Sequence, residues 1–292
     1  MTEMDGVARI LAEAIEPLYG ESLMALSQCL AASWMRQEPT GSRDDDIPVA
    51  NAHLAYVVFS HGRAMRHLYD ARDAEQMPTH LRPMFEAVIK SNYITHVKQE
   101  RAADIFDILP FEQLRDANEY SRGAPFKDGL EQACLAVLRR RPKLLAKCSN
   151  RDAILGGKHP IPRKLLLKSL SFPHMDQMVG ALHDFDPGWN PDLYPTIYRL
   201  CSKFIHGSVG FTRSAIGYVR PDATVAFNVE PNIDGAVEFL LQGSGYIMGS
   251  AGMVSHLFDL SMLPEETLNG WYERRNQVVA DLRAIGYILQ TT

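Results

Sequence analysis

The sequence predicts an all-α fold, a multi-helix bundle with one small β-hairpin near residues 215–229. Apolar residues recur at three- and four-residue spacing through most of the chain, the mark of amphipathic helices. The pattern breaks at 215–219 and 224–229, two short β-rich runs around the turn Arg220-Pro221-Asp222-Ala223. Hydrophobic residues make up 46% of the 292 positions and charged residues 22%, a balance that allows a substantial core and excludes disorder as the main description. One helical domain over 1–292 is expected, with a basic, loop-rich insertion at about 139–172.

The spacing predicts helices over 4–18, 21–37, 48–72, 79–98, 100–121, 127–148, 173–185, 192–206, 232–259 and 265–289. Between the second and third, residues 38–47 read as a polar loop, with Pro39, Gly41 and three consecutive aspartates. Pro48 suits the first turn of the next helix, where its missing N–H is not needed. The hairpin must pack on the helices, because an isolated two-stranded unit is marginal in water. The apolar stretch 236–258 carries Glu238, Gln242, His256 and many Gly and Ser residues. It reads as a close-packed core helix rather than a membrane span.

An acidic N-terminus followed by apolar residues interrupted by Arg9, Glu13 and Glu16 gives no signal peptide, so a cytoplasmic protein with no membrane association is expected. Cys29, Cys134, Cys148 and Cys201 are far apart and form no CxxC pair, and they read as buried thiols. His174, Asp176, His183, Asp184 and Asp186 cluster in sequence without HExxH or ExxH spacing, so no metal is expected. Neither a GxSxG elbow nor a GxGxxG turn is present, and no cofactor is expected.

Charge is unevenly distributed. From 139 to 168 the chain carries Arg139, Arg140, Arg141, Lys143, Lys147, Arg151, Lys158, Arg163, Lys164 and Lys168 against Asp152 alone. This local +9 sits in a chain whose total is −5, and it favours RNA or another anionic partner. Arg139, Arg140, Arg141, Lys143, Lys147, Lys158, Arg163 and Lys164 are the candidate nucleic-acid contacts. A solvated loop paired with the acidic remainder is the competing reading.

Two polar constellations stand out. His61 falls on the apolar side of its helix, and Arg82, Glu86 and Tyr93 share a stripe on the next, with Arg82 and Glu86 four apart. These four residues form either a ligand pocket or an internal polar cluster that fixes helix register. In the helix over 192–206, Arg199 and His206 lie nearly in line, two turns apart, while Tyr194, Ile197, Leu200, Cys201, Phe204 and Ile205 form the opposite, core face. Arginine grips phosphate bidentately and histidine moves protons near neutral pH, the minimal kit for metal-independent attack of an RNA 2′-hydroxyl on its own phosphate. His206 before Gly207 is equally what a helix C-terminus favours.

The runs Ser60-His61-Gly62-Arg63, Leu81-Arg82-Pro83-Met84-Phe85-Glu86 and Ser202-Lys203-Phe204-Ile205-His206-Gly207 resemble uncharacterised all-helical bacterial proteins known as domain-of-unknown-function families. These carry an Arg-Pro-x-Phe-Glu helix and a later Ser-x-x-x-His-Gly element, and the likeness covers roughly residues 48–260. It implies an all-helical fold. A looser likeness is to the HEPN superfamily, helical domains that often dimerise and whose active members cut RNA with an Arg-x(4–6)-His motif. Six residues separate Arg199 from His206, and Leu200 stands where active members carry a polar residue. That resemblance implies an RNA-engaging protein, a homodimer, and a metal-independent ribonuclease acting in bacterial defence or stress response. Its alternative is a non-catalytic binding module.

Overall fold

The computed structural model describes residues 3–36, 46–120, 127–192, 194–198, 201, 216–219, 225–227 and 233–289. Contacts divide the chain into two compact units, Met1–Val97 with Met175–Thr292, and Lys98–His174. The fold is all-α apart from one antiparallel strand pair.

In the first unit α1 (Glu3–Ile10) runs through a π-helical turn, Leu11–Ile15, into α2 (Glu16–Arg36). α3 (Asp46–Asp70) has Pro48 in its first turn. α4 (Met77–Asn92) begins with Pro78, tolerates Pro83 two turns in, and ends in a second π-helical turn, Tyr93–Val97.

The second unit holds α5 (Asp104–Asp107), α6 (Leu109–Tyr120), α7 (Lys127–Arg140), α8 (Pro142–Leu145), α9 (Arg151–Leu155) and α10 (Arg163–Leu170). The chain then rejoins the first unit through α11 (Met175–Phe185), β1 (Ile216–Val219), β2 (Val225–Phe227), α12 (Ile233–Leu257) and α13 (Glu265–Ala284). β1 and β2 pair antiparallel, Val219 opposite Val225.

α12 is the axis of the first unit and packs on α2, α3 and α4. Glu238, Phe239, Leu240, Leu241 and Gln242, five successive positions, are all buried, covering more of its circumference than one amphipathic stripe would. Tyr19 of α2 is inserted between α3 and α12, and its hydroxyl donates to the Gly62 carbonyl at 2.9 Å. A Cβ at Gly243 would stand 3.1 Å from the Tyr19 ring, so glycine there is what lets the helices close on it. Among the described residues no helix is long and apolar enough to cross a membrane.

The second unit has its own core, built from Phe111 and Leu114 of α6, Cys134 and Leu138 of α7, Leu144, Ile154, Leu166 and Leu170. The expectation of one domain with a loop-rich insertion at 139–172 differs from this arrangement. Pro142, Pro160, Pro162 and the pair Gly156-Gly157 cut the segment into pieces too short to show a helical period, yet α8, α9 and α10 each deliver a core side chain. The helices expected over 100–121 and 127–148 are divided likewise, at Ile108, just ahead of Pro110, and before Pro142.

Candidate functional site

Arg82 and Glu86 are one turn apart on α4 and form the expected pair, Arg82 Nε donating to Glu86 Oε1 at 2.8 Å. Their side chains are 26% and 27% exposed, so the pair is half-buried rather than internal. Above it the Arg82 guanidinium lies over the Tyr198 ring, 4.3 Å from its centroid. Tyr198 tilts against Tyr194 at 5.0 Å, Tyr194 stacks on Phe85 at 6.4 Å, and Phe85 meets Tyr246 of α12 at 5.8 Å. Arg82 thus secures the helical segment 194–198, whose Ile197 is fully buried, as is Cys201 one turn on. These two lie on the core face read from sequence. Arg199 and His206, the candidate catalytic pair, lie outside the described residues.

His61 meets a partner outside the expected group of four. Its Nδ1 is 2.9 Å from Nδ1 of His80, the rings tilted with centroids 5.2 Å apart. One ring donates and the other accepts, so the contact exists only while the pair carries no more than one extra proton. Burial holds both below the usual histidine range, and for His61 the neighbouring His80 adds to the effect. Tyr93 is buried in the π-helical turn, two turns beyond Glu86. Arg82–Glu86 and His61–His80 are therefore two separate pairs.

A cavity of about 320 Å³, the size of a small-molecule site, lies between α4, α12 and α13. Phe85, Trp189, Tyr246 and Tyr272 supply aromatic walls, and Asn92 and Arg275 supply polar groups. Trp189 is brought there by a built turn: His183 Nδ1 donates to the Trp189 carbonyl at 2.6 Å, and Asp186 accepts the Gly188 N–H at 2.9 Å. Two members of the His/Asp cluster seen in the sequence thus serve this turn. Among the described residues no group of three His, Cys, Asp or Glu is placed to hold a metal.

Sequence reading missed Arg275 and Tyr246. The available signal was Gly245 and Gly249, one turn apart on a core helix: the first lets Arg275 approach closely and the second leaves space where a side chain would fill it. The four cysteines are free and buried, and burial pushes the Cys201 thiol up to about 12 and Cys29 up to about 11, which keeps both protonated and unreactive.

In the second unit the basic residues divide into two sets. Asp104 and Asp107, both buried, are held by Arg101, Arg140 and Arg141: Arg141 reaches Asp104 at 2.6 Å and Asp107 at 3.0 Å, Arg101 reaches Asp104 at 2.8 Å, and Arg140 closes on Asp107. Arg101 also donates to the Leu170 and Ser171 carbonyls, tying α10 to this network. Arg163 donates to the Leu114 carbonyl at 3.3 Å. Arg139, Lys143, Lys147, Arg151, Lys158, Lys164 and Lys168 are exposed, with no carboxylate partner among the described residues. Of the eight candidate nucleic-acid contacts, Arg139, Lys143, Lys147, Lys158 and Lys164 remain open to a partner, while Arg140, Arg141 and Arg163 are engaged internally.

The class defined so far is an all-helical protein of two compact units, one enclosing an aromatic cavity and the other strongly basic. A profile of the family of unknown function DUF5677 matches residues 50–218, more than half of the chain, and the chain belongs to that family. No curated protein and no solved structure matches it.

Proposed function

We propose that this protein engages RNA through the unit Lys98–His174. The observation that carries the reading is the charge division between the units. Fifteen Lys and Arg against nine Asp and Glu give the second unit a formal +6 and leave −11 for the remainder. Seven of those cations are exposed without a carboxylate to neutralise them among the described residues, which suits the release of counterions from a phosphate backbone. The likeness to HEPN domains points to RNA among polyanions, and with it to a cytoplasmic bacterial homodimer in defence or stress response. Metal-independent cleavage extends the same reading: Arg199 grips the phosphate and His206 acts as general acid or base.

The test uses full-length protein and labelled single-stranded RNA. Reversing Lys143, Lys147, Lys158 and Lys164 to Glu weakens binding by about tenfold or more, at unchanged circular dichroism. Equal binding by the reversed variant overturns the reading. In excess EDTA, wild type cleaves RNA and folded His206→Ala does not. Binding without cleavage by either protein transfers the assignment to the alternative, a non-catalytic binding module. That alternative is favoured by the pairing of Arg82 with Glu86 and of His61 with His80.

A further inference from the structure

We infer that the cavity between α4, α12 and α13 is a binding site for a small monocarboxylate with a flat, aromatic body, and that Arg275 takes its carboxylate. This site lies in the first unit and is independent of the RNA reading.

Arg275 is the unusual residue. It is partly buried against α12, where Gly245 makes room for it: a Cβ there would stand 3.4 Å from Arg275 Nε. That Nε donates to the Leu241 carbonyl at 3.3 Å. The terminal amino groups have no hydrogen-bond partner, and no carboxylate lies within ion-pair distance, among the described residues. The titratable groups beside it are the phenols Tyr246 and Tyr272, and burial lowers its pKa from the ordinary arginine value. The preceding residue, Arg274, shows the ordinary solution: it is exposed and pairs with Glu21 at 2.6 Å. A half-buried guanidinium left without a counter-charge is costly unless a ligand supplies one.

The second orphan lies on the same cavity. Tyr246 lines it, and its buried hydroxyl has no hydrogen-bond partner among the described residues. Such groups are few in folded proteins.

The remaining walls set the ligand's body. Phe85, Trp189, Tyr246 and Tyr272 present rings, and Gly249 keeps one side free, since a Cβ there would meet only the Tyr272 hydroxyl at 3.7 Å. Tyr272 is 41% exposed, so the cavity opens along that side. With one cation present the ligand carries one charge. The planar guanidinium matches a carboxylate with two parallel hydrogen bonds, and ring walls favour a flat apolar body.

Naphthoate, benzoate and the neutral naphthamide are the probes, titrated calorimetrically into full-length protein. Naphthoate binds one per chain and naphthamide about tenfold or more weaker, the size of a missing charged hydrogen bond. Arg275→Gln loses about tenfold or more for naphthoate at unchanged affinity for naphthamide. Gly249→Leu fills the space and loses both, at an unliganded melting temperature equal to wild type or higher. The Gly249 variant decides the matter if Arg275→Gln fails to fold. Equal affinity of wild type for naphthoate and naphthamide, undiminished naphthoate binding by Gly249→Leu, or no heat from naphthoate or benzoate at millimolar concentration overturns the assignment.

Discussion

The Arg82–Glu86 pair and the Asp104–Asp107 network differ in burial, and burial decides what each is worth. Glu86 and Arg82 are about a quarter exposed, so water still solvates both when the pair is broken. Glu86→Ala therefore costs about 1 kcal/mol or less, a fall in melting temperature of roughly 2–4 °C. Asp107 is 2% exposed and answers two arginines at once. Asp107→Ala removes charge-assisted hydrogen bonds from both arginines, leaving Arg141 with Asp104 alone, and costs about 2 kcal/mol, with a matching loss of helicity on heating. Thermal melts of the two variants check the ranking, and equal losses contradict it. The Arg82–Glu86 pair was legible because four-residue spacing on a helix forces proximity. The partner of His61 was not, because sequence periodicity says which face a side chain takes and nothing about which residue of the next helix waits there.

At the scale of elements, His61 of α3 and His80 of α4 bridge two helices that pack along their lengths. Burial is the first cause of the lowered pKa of both, and the sign of the pH dependence follows. The unfolded chain titrates near the ordinary value of about 6.5, above the folded one, so the unfolded state takes up more protons as pH falls. The stabilisation is complete above about 6.5 and is lost as pH falls through the lowered folded values. His53, also lowered by burial, acts in the same direction. Melting temperature measured at pH 7.5 and 5.5 falls in wild type and falls less in a folded His61→Gln variant; a parallel drop in both refutes the role of the pair. Long helices of this kind were legible to within a few residues, since fifteen or more positions of apolar period leave little choice. α8, α9 and α10 are four, five and eight residues long, which is too short for any period to register, so their basic composition spoke louder than their few core leucines.

For the whole molecule, the division into units and the cavity are products of tertiary packing. Charge asymmetry was visible in the sequence, but its true boundary, Lys98–His174, follows from which apolar residues share a core. The cavity needs α4, α12, α13 and the Trp189 turn to converge from positions more than 180 residues apart, and only the glycines of α12 hinted that space was kept. The central claim, that the basic unit meets an RNA backbone, is tested most directly by the salt dependence of RNA binding. The logarithm of affinity against the logarithm of salt concentration should be linear, with the slope set by the phosphates neutralised, about 0.7 per phosphate on single strands. Reversal of Lys143, Lys147, Lys158 and Lys164 should flatten that slope by about 0.7 for each phosphate that is no longer neutralised. A slope identical in wild type and variant would contradict the claim.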